Sequence, residues 1–193
     1  MSTQEQSVQL VGSDAATNIV RTALFAALTG AFAYVSFPHP VSPVPVTLQV
    51  LGVFLAGAFL GPFWGGTAMV VYVVAGALGA PVFSGGSAGV GSLLGPFGGY
   101  LWSYPFAAAA VGLAVHGVDG LNDPQEASVA RLVGGMVVAT VVIYAFGTGG
   151  YAFVNDVGLR EAFLVAAAAF VPVEAVKMAA TVGIVHSDAI AAE

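Results

Sequence analysis

The chain has 193 residues, 58% of them apolar and 7% charged, with four basic and ten acidic side chains and a formal charge of −6. An average soluble domain carries roughly 25% charged residues; this chain is too apolar for a disordered segment and too poor in charge to solvate a soluble globule. Four cations also exclude a basic patch for nucleic acid. What remains is an all-α integral membrane protein, with residues 1–193 forming a single membrane domain.

The positions of the charges strengthen this reading. Residues 22–118 and 132–155 contain no Asp, Glu, Lys or Arg, and residues 162–187 contain only Glu174 and Lys177. A bilayer removes such groups, at roughly 2.5–3.5 kcal/mol for each one near a helix centre. There is no cysteine, so disulfides, thiolate nucleophiles and cysteine-based metal sites are excluded. His39, His116 and His186 share no metal-ligand spacing and are expected at membrane-interface or loop positions. No metal and no cofactor is expected. Glu5 and Asp14 precede the first apolar run without any lysine, unlike a cleavable signal peptide.

Six spanning segments follow in chain order, making a bundle over about 19–187 after an N-terminal cytoplasmic segment of about 1–18. The first span is expected at 19–37, and Pro38, Pro40, Pro43 and Pro45 then impose an extended loop. The second, 46–60, stops at Gly61-Pro62, and the third runs from 63 to about 78. Both are short for a full crossing and suit a tight helical hairpin or burial within protein. Residues 79–99 are glycine-rich and poorly suited to a regular helix. The fourth span covers 98–115, the fifth 129–146 and the sixth 162–185, with polar loops at 116–131 and 147–160. An even number of spans puts both termini on one side. Arg21 and Arg131 lie on that side and Arg160 on the other, which favours cytoplasmic termini.

Four features carry chemistry. Glu174 and Lys177, in FVPVEAVKM, share a helix face near the middle of the sixth span. They form either a self-compensating pair that locks helix packing or a donor beside an acceptor for a small polar ligand. The 79–99 stretch is either a passive loop with close packing or backbone that lines a cavity, since irregular backbone at membrane depth must be covered by protein or face a cavity. It lacks the G-K-[ST] ending of a phosphate loop. Gln49, just after Thr47, heads an apolar helix and serves either an interhelical hydrogen bond or a ligand. Ala23, Ala27 and Ala31 recur every four residues and permit close helix approach, within the fold or to a partner. Phe83, Phe97, Tyr100, Trp102, Tyr104 and Tyr151 cluster near the loops, as interfacial or ligand-stacking residues.

The runs PVPVTLQVLGVFLAGAFLGPFWGG, YVVAGALGAPVFSGGSAGVGSLLGPFGGYLWSY and PVEAVK resemble the BioY family over about residues 21–185. These are the biotin-specific substrate-binding (S) components of energy-coupling factor (ECF) transporters. The resemblance implies an S-component fold, high-affinity biotin uptake across the cytoplasmic membrane and no enzymatic activity. It implies an outward-facing site closed by the loops after helices 1, 3 and 5. It also implies partners: a transmembrane coupling subunit and two ABC-type ATPases that use the ATP. The family's acidic-x-x-Lys pair falls on Glu174 and Lys177, with Glu where the family has Asp. The glycine-rich loop matches Phe83, Ser84, Gly85 and Gly86, then residues 95–100 including Gly99 and Tyr100, with Phe97 where Thr is usual. The Ala23, Ala27 and Ala31 face looks like the surface that docks on the coupling subunit.

Biotin's ureido carbonyl accepts and its two N–H groups donate, which suits Lys177 and Glu174 respectively. For the valerate carboxylate the candidates are the glycine-rich loop amides, Tyr100, Tyr151 and Asn155, with Gln49 completing the expected site. Other functions are an S component for another small vitamin, an intramembrane enzyme with Glu174 as base, or a ligand-free assembly protein.

Overall fold

The computed structural model describes residues 13–40, 42–118 and 120–187, so most of the expected 1–18 segment lies outside the described residues. Helix α1 runs over Ser13–Phe32. It ends five residues before the expected boundary because the next residues are drawn into a strand pair. Strand β1 (Ser36–His39) pairs antiparallel with β2 (Ser42–Thr47), with Ser36 opposite Thr47 and Phe37 opposite Val46. Pro38 disfavours a helical Phe37, and proline, lacking an N–H, is tolerated in such an isolated edge pair. The expected extended loop is therefore a small β-hairpin.

Helix α2 (Gln49–Ala77) folds back on itself at Gly61, which adopts φ 75° before Pro62. Gln49 Nε2 donates to the Tyr72 hydroxyl at 2.5 Å. A straight helix would hold residues 23 apart at about 34 Å, so the two arms, 49–60 and 62–77, are antiparallel. This is the expected tight hairpin. A Cβ on Gly65 would lie 2.8 Å from the Ala56 carbonyl oxygen, which shows how closely the arms pass.

The glycine-rich stretch holds a 3-10 turn, Ser84–Gly86, and the short helix α3 (Val90–Leu94). Helix α4 (Gly98–His116) then packs on the α2 hairpin. Helix α5 (Val129–Asn155) starts at Ser128, whose Oγ accepts from the Arg131 N–H, and ends at left-handed Asp156. It extends nine residues past the expected stop. The glycines that suggested a loop are packing positions: Gly147 faces the Tyr100 ring, and Gly150 meets the Gly99 backbone.

The expected last span is two helices, α6 (Leu159–Ala166) and α7 (Val171–Val185). A 3-10 turn at Ala168–Phe170 separates them, and Pro172 stands in the first turn of α7, where its missing N–H costs nothing. The break leaves carbonyls that other elements satisfy: the Tyr100 hydroxyl donates to Ala166, and His39 Nε2 bonds Ala169 at 3.2 Å.

Four stretches are apolar and long enough to cross a membrane: 15–32, 49–77, 129–155 and 159–185. Counting the two arms of α2, α4 and the α6–α7 rod, the described residues form six rods in a multi-pass bundle. The core lies where the α2 hairpin meets α4 and α5 and includes Phe54, Met69, Tyr72, Val111 and Met136. His116 is the last residue of α4 and is buried there. Its Nδ1 accepts from the Asn122 N–H, so its Nε2 carries the proton that is donated to Ala58 at 2.7 Å.

Candidate functional site

A cavity of about 570 Å³ lies at the end of the bundle that carries the β-hairpin. One wall is β2, from Val44 to Thr47, continued by Gln49 and Val50 of α2. The glycine-rich segment supplies Phe83, Ser84, Ser87 and residues from Ala88 to Phe97. Tyr100, Leu101 and Tyr104 come from α4, and Ile143 and Tyr144 from α5. Phe170, Glu174 and Lys177 close the cavity from the α6–α7 side. This size and its mixture of aromatic walls with few polar groups suit a small-molecule site.

The charged pair is at its inner end. Lys177 Nζ donates to Glu174 Oε1 at 2.7 Å, and both residues are only 4% exposed. The i, i+3 spacing brings them together, and the first turn of α7 favours the carboxylate. Glu174 Oε2 is buried and has no hydrogen-bond partner among the described residues. A lysine ammonium has three donors, and one is spent on Glu174. A buried ion pair with unfilled hydrogen-bonding capacity is costly. The arrangement can receive a ligand group that accepts and donates side by side.

Gln49 lines the cavity, but its amide is engaged. Thr47 Oγ1 donates to Gln49 Oε1 at 2.8 Å, Gln49 Nε2 donates to Tyr72, and Tyr72 donates to the Val82 carbonyl at 2.9 Å. The interhelical hydrogen bond is thus present, and the chain fixes β2, both α2 arms and the glycine-rich segment relative to one another. Tyr72→Phe strands the Gln49 donor and the Val82 carbonyl. It should cost about 1–3 kcal/mol, read as a lower apparent melting temperature in detergent; an unchanged melting temperature would refute the role of this chain.

Of the expected site residues, Glu174, Lys177, Phe83, Ser84, Tyr100 and Gln49 line the cavity. Gly85, Gly86, Gly99, Tyr151 and Asn155 do not. Gly85 and Gly86 have positive φ and shape the turn beneath Phe83, whereas Gly99 packs against the Phe146 and Gly147 backbone. Tyr151 stacks on Phe97 at 6.5 Å, and Asn155 caps back to the Tyr151 carbonyl. Tyr104, expected as an interfacial or ligand-stacking aromatic, lines the cavity, and so do Tyr144, Ile143 and Phe170, which no sequence feature marked. Tyr144 has no local signal in the sequence. Ala23, Ala27 and Ala31 are all exposed, whereas Thr22, Ala26 and Thr29 face inward.

A model of the BioY family matches residues 2–191. The probable biotin transporter BioY of Pyrococcus horikoshii is 36% identical over 167 residues, covering 86% of this chain and 93% of that protein. The biotin transporter BioY of Rhizobium etli is 37% identical, covering 83% and 86% respectively. Among solved structures, the S-component for biotin from an ECF-type ABC transporter superposes with a TM-score of 0.78 at 23% identity, over 92% of this chain and 93% of that one. The S component of a bacterial ECF transporter superposes with a TM-score of 0.52 at 16% identity. The expected S-component fold is therefore the observed one.

Proposed function

Because the chain belongs to the BioY family, we propose that it captures biotin and serves as the S component of an ECF-type transporter. It is a transport component and not an enzyme. The observation that carries the reading is the Glu174–Lys177 pair at the inner end of the 570 Å³ cavity. Biotin's ureido oxygen takes the remaining Lys177 donors, and a ureido N–H donates to Glu174 Oε2. The fused thioether ring lies among Phe83, Tyr104, Ile143 and Phe170. The valerate carboxylate points to the glycine-rich segment, where Ser84, Ser87 and backbone amides offer donors.

The same reading extends to assembly and topology. The chain lies in the cytoplasmic membrane with both termini inside, as Arg21 and Arg131 against Arg160 suggest. The exposed Ala23, Ala27 and Ala31 face docks on a transmembrane coupling subunit, and two ABC-type ATPases supply the energy.

Competition binding tests the ligand. The purified chain in detergent should bind labelled biotin saturably, and only unlabelled biotin should displace it from a panel of small vitamins. Displacement by a different vitamin, or no saturable binding by folded protein, would refute the assignment.

A further inference from the structure

A second concavity, of about 610 Å³, lies behind Glu174. It is a groove between α5 and the α6–α7 rod, walled by Val137, Val141, Leu159, Phe163, Val171 and Met178. Val141, Phe163 and Val171 are at least half exposed, so the groove is continuous with the outer apolar face of the bundle. Both flanking stretches, 129–155 and 159–185, are long and apolar enough to cross a membrane, and the groove therefore opens at hydrocarbon depth.

Its polar residues do not make it a wet site. Thr140, Tyr144, Thr148 and Glu174 all border it, and Thr140 Oγ1 is spent on the Met136 carbonyl at 2.8 Å. Yet the Tyr144 hydroxyl, Thr148 Oγ1 and Glu174 Oε2 are buried and without partners among the described residues. The surface the groove offers is almost wholly apolar, and a bound water needs two to four polar partners. An alkyl chain needs none and regains the dispersion contacts that an empty groove forfeits.

We infer that this groove seats one acyl chain of a bilayer phospholipid. Glu174 and Tyr144 border both the groove and the main cavity. The seated chain thus packs against the back of the wall that carries the ion pair. This inference rests on the fold and the groove alone, not on the identity of the ligand in the main cavity.

The test is native mass spectrometry of the chain purified in maltoside detergent. Wild type should retain one phospholipid. Ala145 and Ala175 are exposed and border the groove, so Ala145→Phe with Ala175→Phe fills it. Retention should fall at least tenfold in that variant and stay unchanged in Val138→Phe, on the open face of α5. If the filled variant does not fold, Leu159→Ala with Phe163→Ala strips the wall instead and should also lower retention. Folded wild type without a phospholipid, a fatty acid in its place, or full retention in the folded groove variants would overturn the inference.

Discussion

Lys177→Ala is expected to weaken biotin binding by about 2 kcal/mol or more, roughly thirtyfold. A charge-assisted hydrogen bond in a desolvated site supplies about that much. The same change leaves Glu174, 4% exposed, without its partner. Breaking a buried pair from one side costs about 3–5 kcal/mol of stability, so loss of binding alone would be ambiguous. Replacing both residues by leucine separates the effects. An apolar pair of similar volume is often neutral or stabilising. The double variant should therefore keep the wild-type melting temperature and still lose biotin, as measured by equilibrium binding in detergent. Wild-type affinity in that folded double variant would make the pair purely structural.

Gly57→Val should be strongly damaging to the core. A Cβ at Gly57 would collide with the Ala108 carbonyl and lie 2.8 Å from Val111 Cβ and 3.1 Å from Gly112 N. Backbone at the α2–α4 crossing cannot step aside as a flexible side chain can. Overpacking of this kind costs about 3 kcal/mol or more, seen as loss of folded protein on detergent extraction. Gly134 supplies the control. It is exposed, lies in α5 and has nothing within 4 Å of a built Cβ. Gly134→Ala should raise stability by up to about 1 kcal/mol, the helix-propensity difference. Equal melting temperatures for the two variants would remove the packing argument.

What could be read from the sequence follows from the range of the forces involved. Absence of charge over 22–118 marks membrane burial without any knowledge of tertiary contacts. Gly61-Pro62 marks a reversal because left-handed backbone and a missing N–H act locally. The i, i+3 spacing of Glu174 and Lys177 fixes their contact in any helix. Other features depend on distant partners. Gly147 and Gly150 look like loop residues until Tyr100 and Gly99 are seen against them. The interruption between α6 and α7 is tolerated because Tyr100 and His39 satisfy its carbonyls across 66 and 130 residues of sequence. Tyr144 reaches the cavity through the rotation of α5 about its axis, which no motif encodes.

The attachment of the β-hairpin sets a limit on the speed of capture. Beyond its own strand pairing, the hairpin is held to the 166–170 turn by the His39–Ala169 hydrogen bond, the His39 ring on Phe170 at 4.6 Å, and Val44 against Phe170. One hydrogen bond and one ring contact are together worth about 2 kcal/mol, and burial of Val44 adds to this. A clasp of at least that strength is open no more than about one part in thirty of the time. Where entry requires β2 to swing aside, the association rate is reduced by the same factor, because only the unclasped fraction admits ligand. The exit rate falls too, so the clasp lengthens residence and slows arrival together.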